Sequence, residues 1–99
     1  MVNAAAFKSS LANATPAPGL VPPLIALWWA GKGDWDKAHA VVMKHRKDAA
    51  WVHAYLHRVE GDLGNAGYWY RQAGRPTATD ALDLEWTRIV AALLTDETT

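Results

Sequence analysis

Ninety-nine residues fill one domain of ordinary size and leave no room for a second independent core. Ten Lys and Arg balance ten Asp and Glu, so no net field draws the chain to nucleic acid or to an anionic membrane. Cysteine is absent, which excludes a disulfide scaffold, a thiol nucleophile and thiolate metal sites, and agrees with a cytoplasmic setting.

Nineteen Ala favour helix, while Leu, Ile, Val and Phe number only twenty. Six tryptophans make up the deficit, because each buries about 150 to 250 Å². The expected core therefore draws on Trp28, Trp29, Trp35, Trp51, Trp69 and Trp86. The longest apolar run, residues 19–31, is broken by Pro22 and Pro23 and falls short of the ~20 residues of a membrane span. The N-terminal stretch has no apolar segment of signal-peptide type.

In chain order, residues 1–15 are Ala-rich with Phe7 and Leu11 as their only spaced apolar pair, which predicts a short helix in a loosely attached arm. Residues 15–23 hold four of the five prolines and form a connector, since proline lacks the amide donor and restricts the residue before it. Pro22 and Pro23 suit the first turn of a helix that continues to Gly31. Asp34 caps the next, in which Trp35, Ala38, Val41, Val42 and His45 share one face. Asp48 is expected to cap a helix with Val52, Tyr55, Leu56 and Val59 inward, ended by Gly61. Asp62 caps a further helix to about Ala73, and the last begins near Thr79 or Asp80 and buries Leu82, Trp86, Ile89, Val90 and Leu93. No strand is predicted.

Gly33-Asp34-Trp35-x-x-Ala38 recurs as Gly61-Asp62-Leu63-x-x-Ala66, a shift of 28 residues that marks two helical hairpins. In each, glycine ends one helix, aspartate caps the next, and a small Ala lets the pair approach closely. Gly61, Asp62, Ala66, Tyr70, Ala73 and Pro76 stand in the order of a tetratricopeptide (TPR) repeat, and residues 23–76 resemble that family. The first copy has Val42 and His45 at the later positions, and the period is shorter than that family's ~34 residues. The blocks LWWAGKGDWDKAH and WVHAYLHRVEGDLGNAGYWYRQAGR also resemble a family of small, uncharacterised bacterial helical proteins, which implies a bacterial cytoplasmic origin.

The TPR resemblance implies a concave face lined by the first helices of successive hairpins. The matching positions are Trp51, Tyr55 and Arg58, with Leu27 and Ala30. Trp, Tyr and Arg are the residue types most often found at interface hot spots. The competing expectation is that the C-terminal helix covers Trp51 and Tyr55 as a cap, because terminal repeats must hide their apolar faces.

His53 and His57 lie four apart, with Glu60 three further on, so the three project to one side of a helix and can ligate a divalent metal. That stripe sits about 100° from the apolar face, where solvated residues usually fall, and His39 or His45 from the neighbouring helix would complete it. An acid/base reading pairs His53 or His57 with Asp62 and uses Arg58 to hold an anion. No nucleophile accompanies it: Ser9 and Ser10 are the only serines. The basic cluster Lys44-His45-Arg46-Lys47 complements a helix C-terminus, as Asp80, Asp83 and Glu85 complement a helix start.

The sequence thus predicts an all-α fold of two TPR-like antiparallel hairpins plus a C-terminal capping helix. Residues 1–22 form the arm and Pro-rich connector, 23–94 the hairpin domain and 95–99 a frayed tail. Two hairpins are fewer than such arrays need, so either the arm and the last helix complete the core or two copies pair as a homodimer. The leading expectation for function is a protein-interaction module that binds a protein or peptide through Trp51, Tyr55 and Arg58. The alternative is a metal- or small-ligand-binding protein that uses His53, His57 and Glu60. No cofactor, nucleic-acid or membrane partner is expected.

Overall fold

Two turns of the same construction set the architecture. At each, a glycine with positive φ (Gly33, +83°; Gly61, +88°) lets the chain leave a helix in a conformation that a Cβ would oppose. The Gly33 and Asp34 amides donate to the Ala30 and Trp29 carbonyls, and those of Gly61 and Asp62 to the Arg58 and His57 carbonyls. The Asp34 carboxylate then accepts from the Lys37 amide at 3.0 Å, and that of Asp62 from the Asn65 amide at 3.2 Å. The repeat of residue types is therefore a repeat of hydrogen bonds.

The computed structural model describes residues 3–98, with side chains placed as far as Thr95. It contains α1 (Ala4–Ser9) with a following 3₁₀ turn (Ser10–Ala12), α2 (Pro22–Gly31), α3 (Trp35–Lys44), α4 (Ala50–Val59), α5 (Leu63–Ala73) and α6 (Leu82–Thr98). There is no strand among the described residues. The pairs α2/α3 and α4/α5 are the antiparallel hairpins, α3 lies against α4, and α6 packs across α2 and α4. No helix of the described residues is long and apolar enough to cross a membrane.

The core runs between these layers, from Leu24, Leu27 and Trp28 of α2 through Val42, Val52 and Leu56 to Ile89 and Val90 of α6, all fully buried. Trp28, Trp69 and Trp86 are buried, while Trp29, Trp35 and Trp51 are partly so. Their polar edges are matched: the Trp86 indole donates to the Leu27 carbonyl at 2.8 Å and the Trp35 indole to the Leu56 carbonyl at 2.7 Å.

Several expectations need correction. The arm is not loose: Phe7 is buried against the Trp86 ring, and Ser10 Oγ accepts the Trp28 indole N–H at 3.0 Å while donating to the Phe7 carbonyl. Lys32 Nζ donates to the carbonyls of Leu11 and Asn13, so the end of α2 clamps the arm's exit. Arm and last helix together complete the core.

Asp48 does not cap α4. Ala49 occupies that N-cap without a side-chain bond, because the turn before it is closed through the backbone, Ala49 N–H to the His45 carbonyl. α6 starts at Leu82, later than expected, since Asp80 is held outside it by arginines. It continues through residues expected to fray, with Thr95 Oγ1 bonded to the Ala91 carbonyl; Thr99 lies outside the described residues. Leu82 is exposed, and Leu94 is buried further along α6.

Two glycine substitutions should have opposite signs. Inside α5, a Cβ added at Gly67 would meet only the flexible end of Arg71, at 3.5 Å, so Gly67→Ala should stabilise by about 0.5 to 1 kcal/mol. At Gly31 a Cβ would meet Leu11 Cδ1 at 2.9 Å and the rigid Trp86 ring at 3.0 Å, so Gly31→Ala should destabilise by about 1 to 3 kcal/mol. Urea denaturation of the two variants measures both.

Candidate functional site

α4 is a ten-residue helix with seven buried residues, so it has almost no solvent face. Three environments meet it. Val52 and Leu56 enter the main core, Arg58 and Tyr55 turn towards α6, and His53 and His57 turn towards α3 and α5. By helical rotation His53 and Arg58 are about 140° apart.

On the α6 side the expected docking face is occupied. Glu85 of α6 is completely buried, and its carboxylate accepts from Arg58 Nη1 at 2.7 Å and from the Tyr70 hydroxyl. Arg58 Nη2 donates to the Asp80 carbonyl, and the Asp80 carboxylate receives Arg88 at 3.1 and 3.2 Å. Arg88 holds the Asp80 carboxyl below its ordinary pKa, chiefly through that hydrogen bond. Burial, and then the Glu85 carboxylate, raise the Tyr70 hydroxyl, so it stays a donor. Tyr55 is buried in the core, and its hydroxyl is raised to about 12, mainly by burial. Of the three expected binding residues Tyr55 is buried, Arg58 is held by Glu85, and Trp51 is partly buried with the Arg75 guanidinium 3.8 Å from its ring.

Glu85, expected to complement the start of the last helix, is thus an internal acceptor. Its position one turn before Ile89, beside Trp86 on the inward stripe, was the available signal that it points inward.

The histidines lie deeper than expected. His53 is 1% exposed and His57 6%, which overturns the placement of this stripe on a solvated face. α5 is the reason: the Trp69 ring stacks on His53 with centroids 4.0 Å apart. From the other hairpin, α3 brings His39, whose ring stacks on Trp35 at 4.6 Å. His39, His53 and His57 form a triangle with centroid separations of 5.2, 5.5 and 4.9 Å between the two indoles. Each offers a nitrogen within 4.8 Å of the others'.

Glu60 is placed differently from the sequence expectation. Its carboxylate pairs with His57 Nδ1 at 2.5 Å and stands beside the three-imidazole cluster, outside it. That contact fixes the ring and leaves Nε2 of His57 as the free nitrogen. Glu60 also groups with His57 and the exposed Asp62 in a second, outer cluster. His45 caps the end of α3, exposed, and takes no part. His53 Nδ1 is buried with no hydrogen-bond partner, alone in this among the described side chains.

Burial, then the neighbouring His57, His39 and Arg46, depress His53 to about 4; His39 is lowered as well, by burial first. Both rings are therefore neutral at pH 7, the protonation state in which imidazole ligates a metal. Neither serine supplies a nucleophile here: both lie in the arm, where Ser10 is bonded to Trp28 and Phe7. Comparison of the chain with family models, with curated proteins and with solved structures finds no match.

Two outcomes follow from these environments. Arg58→Ala strands the Glu85 carboxylate and should cost about 3 to 5 kcal/mol in chemical denaturation, whereas an apolar pair, Arg58→Met with Glu85→Leu, should recover most of it. The metal-free protein should also lose stability in acid. An unfolded histidine protonates near pH 6.5 and folded His53 near 4, so stability is full above pH 6.5 and falls between 6.5 and 4. The slope from His53 approaches about 1.4 kcal/mol per pH unit, and His53→Leu should remove that part of it in urea melts at pH 7.5, 6 and 5.

Proposed function

We propose that this chain is a metal-binding helical protein that holds one divalent transition-metal ion through His39, His53 and His57. The observation that carries this reading is the convergence of three imidazole nitrogens within 4.8 Å, one ring of which buries an unpartnered Nδ1. An unsatisfied buried nitrogen costs about 1 to 3 kcal/mol, which a bound ion would offset. Three imidazoles around a tetrahedral ion at about 2 Å per nitrogen put their ring centroids roughly 5 Å apart. The centroid separations of 4.9 to 5.5 Å match that spacing, and the nitrogens, within 4.8 Å of one another, would close to about 3.3 Å around the ion.

Imidazole suits zinc, copper and nickel, whereas calcium and magnesium prefer oxygen ligands. Glu60 serves by orienting His57, in the carboxylate–histidine arrangement that commonly supports a bound metal. Three protein ligands leave a fourth position for water or an incoming group. The ion would join α3 of one hairpin to α4 of the other. The likeness to the bacterial family and the lack of cysteine support a cytoplasmic location. The interaction-module reading has less support, since Tyr55 and Arg58 are engaged inside the molecule.

Zinc and nickel titrated into tag-free, chelator-treated protein at pH 7.5 should bind with one ion per chain by calorimetry. A hundredfold excess over Kd should stabilise the fold by about 2.7 kcal/mol. His39→Ala and His53→Ala should abolish binding, and His45→Ala should leave it intact. Binding that survives His39→Ala, or no binding at all, refutes the proposal.

A further inference from the structure

The basic cluster after α3 has a structural setting that a helix-dipole role does not account for. α3 ends at Lys44, so Arg46 and Lys47 lie beyond its last turn, in the connection to α4. With Ala50 of α4 and Tyr68, Trp69 and Gln72 of α5 they line a cleft of about 410 Å³. That volume falls in the range of small-molecule sites.

Neither cation is neutralised there. Among the described residues, neither Arg46 nor Lys47 forms an ion pair with a carboxylate. The Arg46 guanidinium lies 5.4 Å from the Trp69 ring, and Lys47 is exposed. Tyr68 and Trp69 supply the aromatic part of the lining. Tyr68 remains 46% exposed, with its ring perpendicular to Trp69 at 5.1 Å. An exposed tyrosine one residue from a buried tryptophan offers a ring face and a phenol to whatever enters. Gln72 supplies an amide that can donate or accept.

We infer that this cleft binds a small planar aromatic anion, a ring bearing a phosphate or carboxylate, with Arg46 and Lys47 on the anion and Tyr68 against the ring. Guanidinium grips either anion through paired N–H donors, and a ring–ring contact adds attraction beyond the apolar area it buries. Charge and ring must sit on one ligand, because cations and aromatic wall face the same space. The site does not depend on the proposed metal: its lining contains none of the three histidines, and Trp69 separates it from His53.

Phenyl phosphate, with inorganic phosphate and phenol as its halves, and benzoate, with formate and phenol as its separate anion and ring, would be titrated into metal-free protein and followed by two-dimensional amide NMR. The expected result is saturable shifts at Lys47, Ala50, Tyr68, Trp69 and Gln72 with at least one aromatic anion, the tighter of the two naming the anion. That ligand should bind about tenfold more tightly than either half. Arg46→Met and Tyr68→Ala, both at surface positions and checked for an unchanged spectrum elsewhere, should each weaken it about fivefold or more. Absence of saturable shifts, equal binding by the variants, or binding of inorganic phosphate as tight as that of phenyl phosphate would overturn the assignment.

Discussion

The buried Glu85 carboxylate and its two donors determine what this small array can be. A charge removed from water is tolerated only where other groups replace the solvent, and Arg58 of α4 and Tyr70 of α5 do so together. Both donors belong to the second hairpin, while the acceptor belongs to the last helix, so the contact settles where α6 crosses. Once there, α6 carries Trp86 to the Leu27 carbonyl and Ile89 and Val90 into the core, and Trp86 in turn gives Phe7 of the arm a surface. Two hairpins that would be too few for an open array are completed within one chain, by α6 across α2 and α4 and by α1 against α2 and α6.

That closure also explains why Tyr55 and Arg58 do not form an open face. The positions that an open array would expose are those nearest the closing helix, and an arginine and a tyrosine suited to a partner are equally suited to an internal one. Their residue types do not distinguish the two uses; the occupant of the face does.

Sequence and structure agree most closely where the information is local. Gly33-Asp34 and Gly61-Asp62 specify their turns through a glycine conformation and a side-chain cap within a few residues, and both turns form as expected. Local signals also mislead, as at Asp48, where an acceptable capping residue is bypassed by a backbone bond from Ala49 to His45. What the sequence could not show was pairing at a distance: Arg58 with Glu85 across 27 residues, His39 with His53 and His57 across a turn, Trp69 over His53. The spacing of His53, His57 and Glu60 was legible, but the burial of the two histidines was not. A helix with seven of its ten residues buried has almost no solvated stripe, and only the positions of α3, α5 and α6 reveal that α4 is such a helix.

Arg58 and the His53–His57 pair occupy separate sides of α4, which separates the contact that holds α6 from the proposed metal site. The Glu85 contact holds the second hairpin to α6 without any imidazole, so loss of an ion from the histidines would leave the fold closed. The histidine cluster, by contrast, lies between the hairpins with indoles above and below and a buried nitrogen without a partner. A purely structural core would be more stable with an apolar residue at His53, since the unpartnered nitrogen costs free energy and adds sensitivity to acid. The unpartnered nitrogen at such a position, in a scaffold closed without it, is the feature on which the proposed metal-binding role rests.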